Sequence, residues 1–281
     1  MTWFVVTGVF LLFFALPVVW MLLAVTKTDS QIIRGHPFAI GTWHDFTQAW
    51  GNLLNFQDGA ILLWMKNSAV YAFGSLAITL ATAIPAGYGL ALTEFVGRKL
   101  LLTTTLVVMI MPAAALVLPL YLEVNAVHLT GTIWSVILPL SFYPFGVYLT
   151  YIYYSSTIPP DLLAAARLDG CSEWQVFTKI ALPLARPIIA LVSFFSFVGN
   201  WNNFFLPFVM LPDSQQYPAQ VGLSNLLAAS AVFNTSAGTE NQILRPELAL
   251  AALLTILPVL VVFLFSQRAL LSGMLAGGTK G

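Results

Sequence analysis

The chain of 281 residues holds only 11 Lys and Arg against 11 Asp and Glu, so 8% of its residues are charged and its formal net charge is zero. A soluble domain carries about 25% charged residues. The few ionisable groups are not arranged for bond making. His36, His44 and His128 are scattered without metal-ligand spacing, and the single cysteine, Cys171, excludes a disulfide within the chain and reads as a small packing residue. No HExxH or GxSxG motif occurs. None of the lysines (Lys27, Lys66, Lys99, Lys179, Lys280) follows a glycine and precedes Ser or Thr, so there is no Walker A phosphate loop. The charges concentrate in one place, Thr157 to Pro187, which carries Asp161, Arg167, Asp169, Glu173, Lys179 and Arg186. At the centre of a membrane helix such groups cost ~2.5–3.5 kcal/mol each, on the order of 15 kcal/mol together, so this stretch lies outside the bilayer. Its chemistry is that of a docking surface.

The local grammar of that stretch is two short helices with a sharp joint. Pro159 and Pro160 suit a helix start, and Asp161 favours the positive end of the dipole. Leu162 to Leu168, with three consecutive alanines, propagates the helix, and Asp169-Gly170 breaks it at a left-handed cap. Ser172 with Gln175 fits a capping box that opens a second helix. Trp174, Phe177 and Ala181 fall on one face of it, Pro183 ends it, and Pro187 begins the next apolar segment.

Ala165, Ala166, Asp169, Gly170, Phe177, Leu182, Pro183, Leu184 and Pro187 fall on the pattern of the EAA loop of binding-protein-dependent ABC importer permeases, which the stretch resembles. In that family the loop forms a coupling helix that docks on a cytoplasmic ATPase. One departure stands out. The position of the family's glutamate is Ala164, and the neighbouring acid that would replace it is Asp161, three residues earlier on the same helical face.

The rest of the chain is 59% hydrophobic and reads as membrane spans around this loop. About 20 apolar residues cross the hydrocarbon core. The expected spans are 2–25 (an uncleaved anchor), 69–92, 100–122, 132–153, 188–210 and 246–265. Residues 27–59 are polar and aromatic, and Thr42 to Trp50 resembles the exterior segment after the first span of sugar permeases. Asn67-Ser68 is either a recurrent lead-in motif or interfacial capping. Gly87 and Gly89 are read as close helix contacts. Met111-Pro112 and Pro119 kink the third span, as a fixed bend or a hinge. Val221 to Leu227 suggests a short interfacial helix in the exterior segment 212–245. Asn200, Trp201, Asn202 and Asn203 lie deep in the fifth span, where polar groups face protein or water, either bonding between helices or forming a wall of a solute path.

The C-terminal residues 266–281, with Gln267, Arg268, Gly277, Lys280 and Gly281, resemble the glycine-rich tail of the partner-type sugar permease, which implies an end seated at the ATPase interface; the alternative is a frayed terminus. Six spans put both termini on one side. With that side as cytoplasm, Arg98, Lys99, Arg167, Lys179, Arg186, Arg268 and Lys280 lie inside, against Lys27, Arg34, Lys66 and Arg245 outside, as the positive-inside rule expects. No ionisable residue falls mid-span, which disfavours proton or sodium coupling.

The sequence therefore predicts an all-α polytopic membrane protein, 1–281 as one permease domain, with about six transmembrane helices and a two-helix cytoplasmic loop. The resemblance implies a bacterial plasma-membrane permease of the type I ABC importer fold, sugar branch, similar to the maltose transporter's second permease. It implies a second permease subunit, two ATPase subunits that hold ATP and Mg, and an extracytoplasmic solute-binding protein. This chain is expected to bind no cofactor, no metal and no nucleic acid. The competing expectation is a stand-alone channel or secondary carrier with a regulator-binding loop, and the alternative substrate is a glycerol-phosphate ester or polyol.

Overall fold

A computed structural model describes residues 2–233 and 243–278. Among them there are helices and turns and no strand. In chain order the helices are α1 (Thr2–Ala24), α2 (Asp29–Arg34), α3 (Trp43–Asn55), α4 (Ala60–Leu92), α5 (Arg98–Ile110), α6 (Ala113–Ala126), α7 (Trp134–Ser141), α8 (Pro144–Thr157), α9 (Pro160–Leu168), α10 (Glu173–Val176), α11 (Leu182–Leu184), α12 (Arg186–Trp201), α13 (Phe205–Met210), α14 (Ala219–Ala229) and α15 (Arg245–Gly278). Trp3–Ala24, Ala60–Leu92, Trp134–Thr157 and Arg245–Gln267 are each long and apolar enough to cross a membrane, and two bent helix pairs qualify when each pair counts as one span. The protein is thus an all-α, multi-pass membrane protein with four to six spans. Long-range contacts divide it into two compact units, Met1–Ser68 with Ser214–Pro258 and Ala69–Asp213 with Val259–Gly281.

In the first unit, side chains of α4 organise the segment that follows residue 213. Trp64 Nε1 donates to Ser214 O at 3.0 Å, and Asn67 Nδ2 donates to Gln215 O at 2.8 Å and Tyr217 O at 3.1 Å. Ser68 Oγ accepts from the Ala219 amide at 2.8 Å, capping α14 from a distance. The capping role anticipated for Asn67-Ser68 is real, but its object is another segment of the chain. These residues lie inside α4, which begins at Ala60 and not at 69, because nothing between Ala60 and Leu92 breaks a helix except Pro85, which the helix absorbs. The helix expected at Val221 to Leu227 extends over Ala219–Ala229. Its Gly222 lies so close to the Trp64 ring that any side chain would collide with it. Thr42 to Trp50, read only as an exterior segment, opens the amphipathic helix α3, with Ala49 and Leu53 buried.

In the second unit three expected spans are interrupted. Residues 100–122 were expected as one kinked helix. The chain instead breaks at Met111-Pro112, and α5 and α6 meet at 109°. Met111 is extended, the conformation that a following proline favours, and Pro112 offers no amide to continue the ladder. The fourth span breaks at 142–143, before Pro144. The Ser141 carbonyl at the end of α7 then lacks a helical donor. Thr79 Oγ1 donates to Ser141 O at 3.0 Å, and Ser75 Oγ, one turn earlier on α4, donates to Ile137 O at 3.2 Å. The fifth span, expected over 188–210, is α12 followed by α13. Gly87 is a close contact as expected, since a Cβ there would come within 2.5 Å of Thr150 Cβ. Gly89 is not, its nearest neighbour being Thr93 Oγ1 at 3.9 Å, an ordinary contact.

The last expected span, 246–265, agrees with the apolar segment Arg245–Gln267, and the helix that carries it continues beyond that segment. α15 runs unbroken to Gly278, because no proline follows Pro258 and the Ala-, Leu-rich sequence favours helix. Gln267, Arg268 and Gly277 therefore lie on a helix, while Lys280 and Gly281 fall outside the described residues.

Candidate functional site

The stretch Thr157 to Pro187 folds as its local signals direct. α9 starts with Pro160 at its first turn. It ends in a Schellman motif. The Cys171 amide donates to Ala166 O at 3.0 Å, the Gly170 amide donates to Arg167 O at 3.1 Å, and Gly170 takes φ +84°. The Ser172–Gln175 capping box is reciprocal, with the Gln175 amide donating to Ser172 Oγ at 3.3 Å and the Ser172 amide to Gln175 Oε1 at 2.9 Å. Across this joint Arg167 Nε donates to Glu173 Oε1 at 2.7 Å and Nη2 to Oε2 at 3.2 Å, a bidentate pair. The Arg167 hydrogen bond holds the Glu173 carboxyl below its ordinary value, and Glu173 in turn raises the Arg167 guanidinium. The two side chains remain 40% and 59% exposed, so the pair is a geometric clamp of small energetic weight.

The second helix differs from expectation. α10 gives way to a π-helical turn over Phe177–Ala181, in which the Leu182 amide reaches back to Phe177 O. Pro183, which has no amide to donate to Lys179 O, follows directly. The chain does not end its helix at Pro183 but turns by 74° at Ala185 into α12. Phe177 and Ala181 point inward, whereas Trp174, whose ring lies 5.7 Å from that of Phe177, is 70% exposed.

The inward face is fused to the spans. Leu163 and Ala166 of α9, with Val176, Phe177 and Ala181, join Ile84 and Tyr88 of α4, Tyr153 and Tyr154 of α8 and Ile158 at its C-terminal cap in one buried cluster. The Tyr88 ring lies 5.0 Å from that of Phe177 and 5.7 Å, edge-on, from that of Tyr154. Tyr153 Oη donates to Leu184 O at 2.9 Å. Cys171 is partly buried against the same cluster, the packing role expected of it. The loop therefore cannot shift without displacing the ends of α4 and α8. Tyr88, Tyr153 and Tyr154 were missed by the sequence reading. Their only signal was three bulky aromatics near span ends, which is the same signal given by an interfacial belt.

The outward face is a stripe along α9. Asp161, Ala164, Ala165 and Leu168 are all exposed at spacings of three and four, so they line one side of the helix, and Leu168 is 89% exposed. Neither Asp161 nor Asp169 has a side-chain hydrogen bond or ion pair among the described residues, whereas Glu173 is held by Arg167. Of the residues predicted to act together, Asp161, Ala164, Ala165, Asp169, Gly170 and Pro183 are exposed, Ala166 and Phe177 are buried, and Pro187 sits in the first turn of α12.

The quartet Asn200 to Asn203 divides. Asn200 and Asn203 line a cavity of about 540 Å³ in the second unit, together with Met111, Phe142, Tyr143 and Phe205. Trp201 is buried and stacks on Phe197 at 5.6 Å, and Asn202 is exposed and does not line the cavity. Asn200 Nδ2 donates to Ser196 Oγ at 3.4 Å, and Asn203 Oδ1 accepts from the Leu206 amide at 3.2 Å, capping α13. No cluster of acidic, His and Cys side chains able to hold a metal occurs among the described residues.

Broken spans with a polar loop packed against them define a helical, multi-pass membrane protein. The comparisons make this specific. Residues 83–275 match the model of the family described as binding-protein-dependent transport system inner membrane component, and the chain belongs to that family. It is 30% identical, over 96% of its own length and 92% of the relative's, to the arabinooligosaccharides transport system permease protein AraQ of Bacillus subtilis. It is 30% identical to the lactose transport system permease protein LacG of Rhizobium radiobacter, covering 92% of this chain and 89% of that one. It is 28% identical to the diacetylchitobiose uptake system permease protein NgcG of Streptomyces coelicolor, covering 94% and 83%. Its fold is similar to that of a chain in the crystal structure of a bacterial ABC transporter involved in the import of the acidic polysaccharide alginate, with a TM-score of 0.82 at 22% identity over 94% of this chain and 93% of that one. Membership in the family sets aside the stand-alone channel or carrier.

Proposed function

We propose that this chain is one of two permease subunits of an ATP-driven importer for a mono-, di- or oligosaccharide, working as a single domain of the bacterial plasma membrane with both termini in the cytoplasm. A second permease completes the pathway. Two ATPase subunits hold ATP and Mg and perform the hydrolysis, and an extracytoplasmic binding protein delivers the solute. The carbohydrate assignment rests on the names of the relatives; glycerol-phosphate esters and polyols are the next substrates to try.

The observation that carries this reading is the two-sided loop. Its outer stripe of small residues, Ala164 and Ala165, allows close approach of a partner, and the unpaired Asp161 offers the carboxylate that Ala164 lacks. Its inner face is packed into α4 and α8. An ATPase pair that grips the stripe and changes its spacing on binding ATP thereby drives the spans between two conformations. Such work requires the ATP-bound partner to favour one conformation, because equal affinity for both shifts nothing. Asn200 and Asn203 would line this subunit's share of the solute path, with Trp201 and Asn202 supporting it. Gln267, Arg268 and Gly277, with Lys280 and Gly281 beyond them, would reach the ATPase interface from the end of α15.

The test is ATPase activity of the co-expressed complex in lipid nanodiscs, with its binding protein and a panel of sugars, polyols and glycerol-phosphate esters. Stimulation by the binding protein with one sugar supports the whole reading. Stimulation only by a phosphate ester replaces the substrate class. Purification of the chain without any ATPase subunit overturns the importer.

A further inference from the structure

The apolar run of α1 is 23 residues, about 34 Å at ~1.5 Å per residue, against a hydrocarbon core of ~30 Å. No residue of its 18-residue apolar window is buried inside the protein, while its last residue, Ala24, packs into the core. Ala24, its last residue, must therefore reach the headgroup boundary, and Thr26 and Lys27 lie at that depth. The chain between residues 26 and 46 is tied to this point twice. The Thr42 amide donates to Thr26 O at 2.7 Å and the Gly41 amide to Thr26 Oγ1 at 3.1 Å. Gly41 crosses Thr26 so closely that a Cβ would collide with Thr26 O. Lys27, buried to 4% exposure, sends Nζ to His36 O at 3.1 Å and Pro37 O at 2.8 Å. The segment 36–43 is thus a strap fastened at both ends to residues that mark the membrane surface.

What the strap displays is apolar. Ile40 is 83% exposed and Trp43 75%, and Ile33 and Phe38 are exposed beside them. Trp43 is braced by Phe46, ring to ring at 5.0 Å. Arg34, His36 and His44 are interspersed and exposed. Large exposed apolar side chains fixed at the headgroup level, continuous with an exposed apolar helix and mixed with cationic and aromatic residues, have the composition of an interfacial anchor. We infer that residues 33–43 form a membrane-interface anchor, in which Ile33, Phe38, Ile40 and Trp43 insert at the boundary of headgroups and acyl chains, with buried Lys27 as the knot that holds them there. The proposal depends on α1 crossing the bilayer and not on the transported solute.

The experiment is spin-label accessibility in the complete transporter in nanodiscs, with Ile40→Cys in a Cys171→Ala background. Leu12→Cys, midway along α1, is the bilayer standard, and label on glutathione is the water standard. The anchor requires an oxygen-to-nickel-chelate accessibility ratio for Ile40→Cys several-fold above the water standard and below that of Leu12→Cys. A water-like ratio overturns it. Low accessibility to both reagents also overturns it, since that marks a surface covered by another subunit. Adding Lys27→Met should return the residue-40 label towards the water value. In the otherwise native protein, lipids brominated near the carbonyl end should quench the Trp43 fluorescence, obtained by difference from Trp43→Phe, more than lipids brominated near the methyl end. Equal or absent quenching would remove the anchor without recourse to the cysteine variants.

Discussion

At the scale of single residues, Gly170 is required for its conformation and not for space. Its φ is +84°, and nothing lies within 4 Å of where a Cβ would stand. A β-branched residue there costs ~1–3 kcal/mol of strain, released by reopening the α9–α10 joint. Gly170→Val should leave the complex assembled and hydrolysing ATP but cut transport per ATP, whereas Gly170→Asn, which tolerates the left-handed region, should be much milder; transport and phosphate release measured on the same vesicles separate the two. Asp161→Ala should lower coupling because it removes the one unpaired carboxylate on the Ala164 face. Ala164→Glu in that background should restore it, and uptake unaffected by Asp161→Ala would end the substitution idea. Glu173 titrates below the ordinary 4.5 because Arg167 hydrogen-bonds its charged form. Its clamp is therefore present above the ordinary carboxylate value and is lost as pH falls through the lowered one. Carboxyl-carbon NMR of Glu173 should show that lowered midpoint, and Arg167→Gln should raise it.

At the scale of elements, the π-turn and the buried cluster determine what the loop can transmit. Phe177 packs on Tyr88, which packs on Tyr154, so one ring from the loop touches one from α4, and that touches one from α8. Phe→Ala in a core costs ~3–5 kcal/mol. Phe177→Ala should loosen the loop from the spans and leave the outer stripe intact, giving a complex that still binds ATPase but shows raised hydrogen exchange in α9 and α10. α4 and α8 also meet at Gly87 and Thr150, where overpacking costs ~1–3 kcal/mol. Gly87→Val should lower the thermal midpoint, while Gly89→Ala, with only an ordinary contact nearby, should not. If both substitutions were equally destabilising, the close approach at Gly87 would not be the cause, since Gly→Ala by itself favours the helix.

At the scale of the whole molecule, the exposed apolar surface of α1 and the charged loop that carries α9 differ in kind. Composition alone separated them. Charge density is local, and it assigned the loop to water and the apolar runs to the bilayer at several kcal/mol of discrimination. The caps, the left-handed glycine and the capping box were legible for the same reason. Each is settled by contacts within six residues, as Ala166 to Cys171 and Ser172 to Gln175 show. Tertiary structure decided the rest. The 109° break at Met111-Pro112 required neighbours to accommodate it, and the Ser141 carbonyl at the end of α7 required the Thr79 hydroxyl of α4, more than 60 residues away, to satisfy it. The burial of Phe177 beside an exposed Trp174 depended on packing against Tyr88 and Tyr154, which no residue spacing announces. Likewise Asn67 and Ser68 bond a segment about 150 residues later. Periodicity fixes which side chains share a face. Only packing selects which face is turned inward, because that choice depends on atoms remote in the chain.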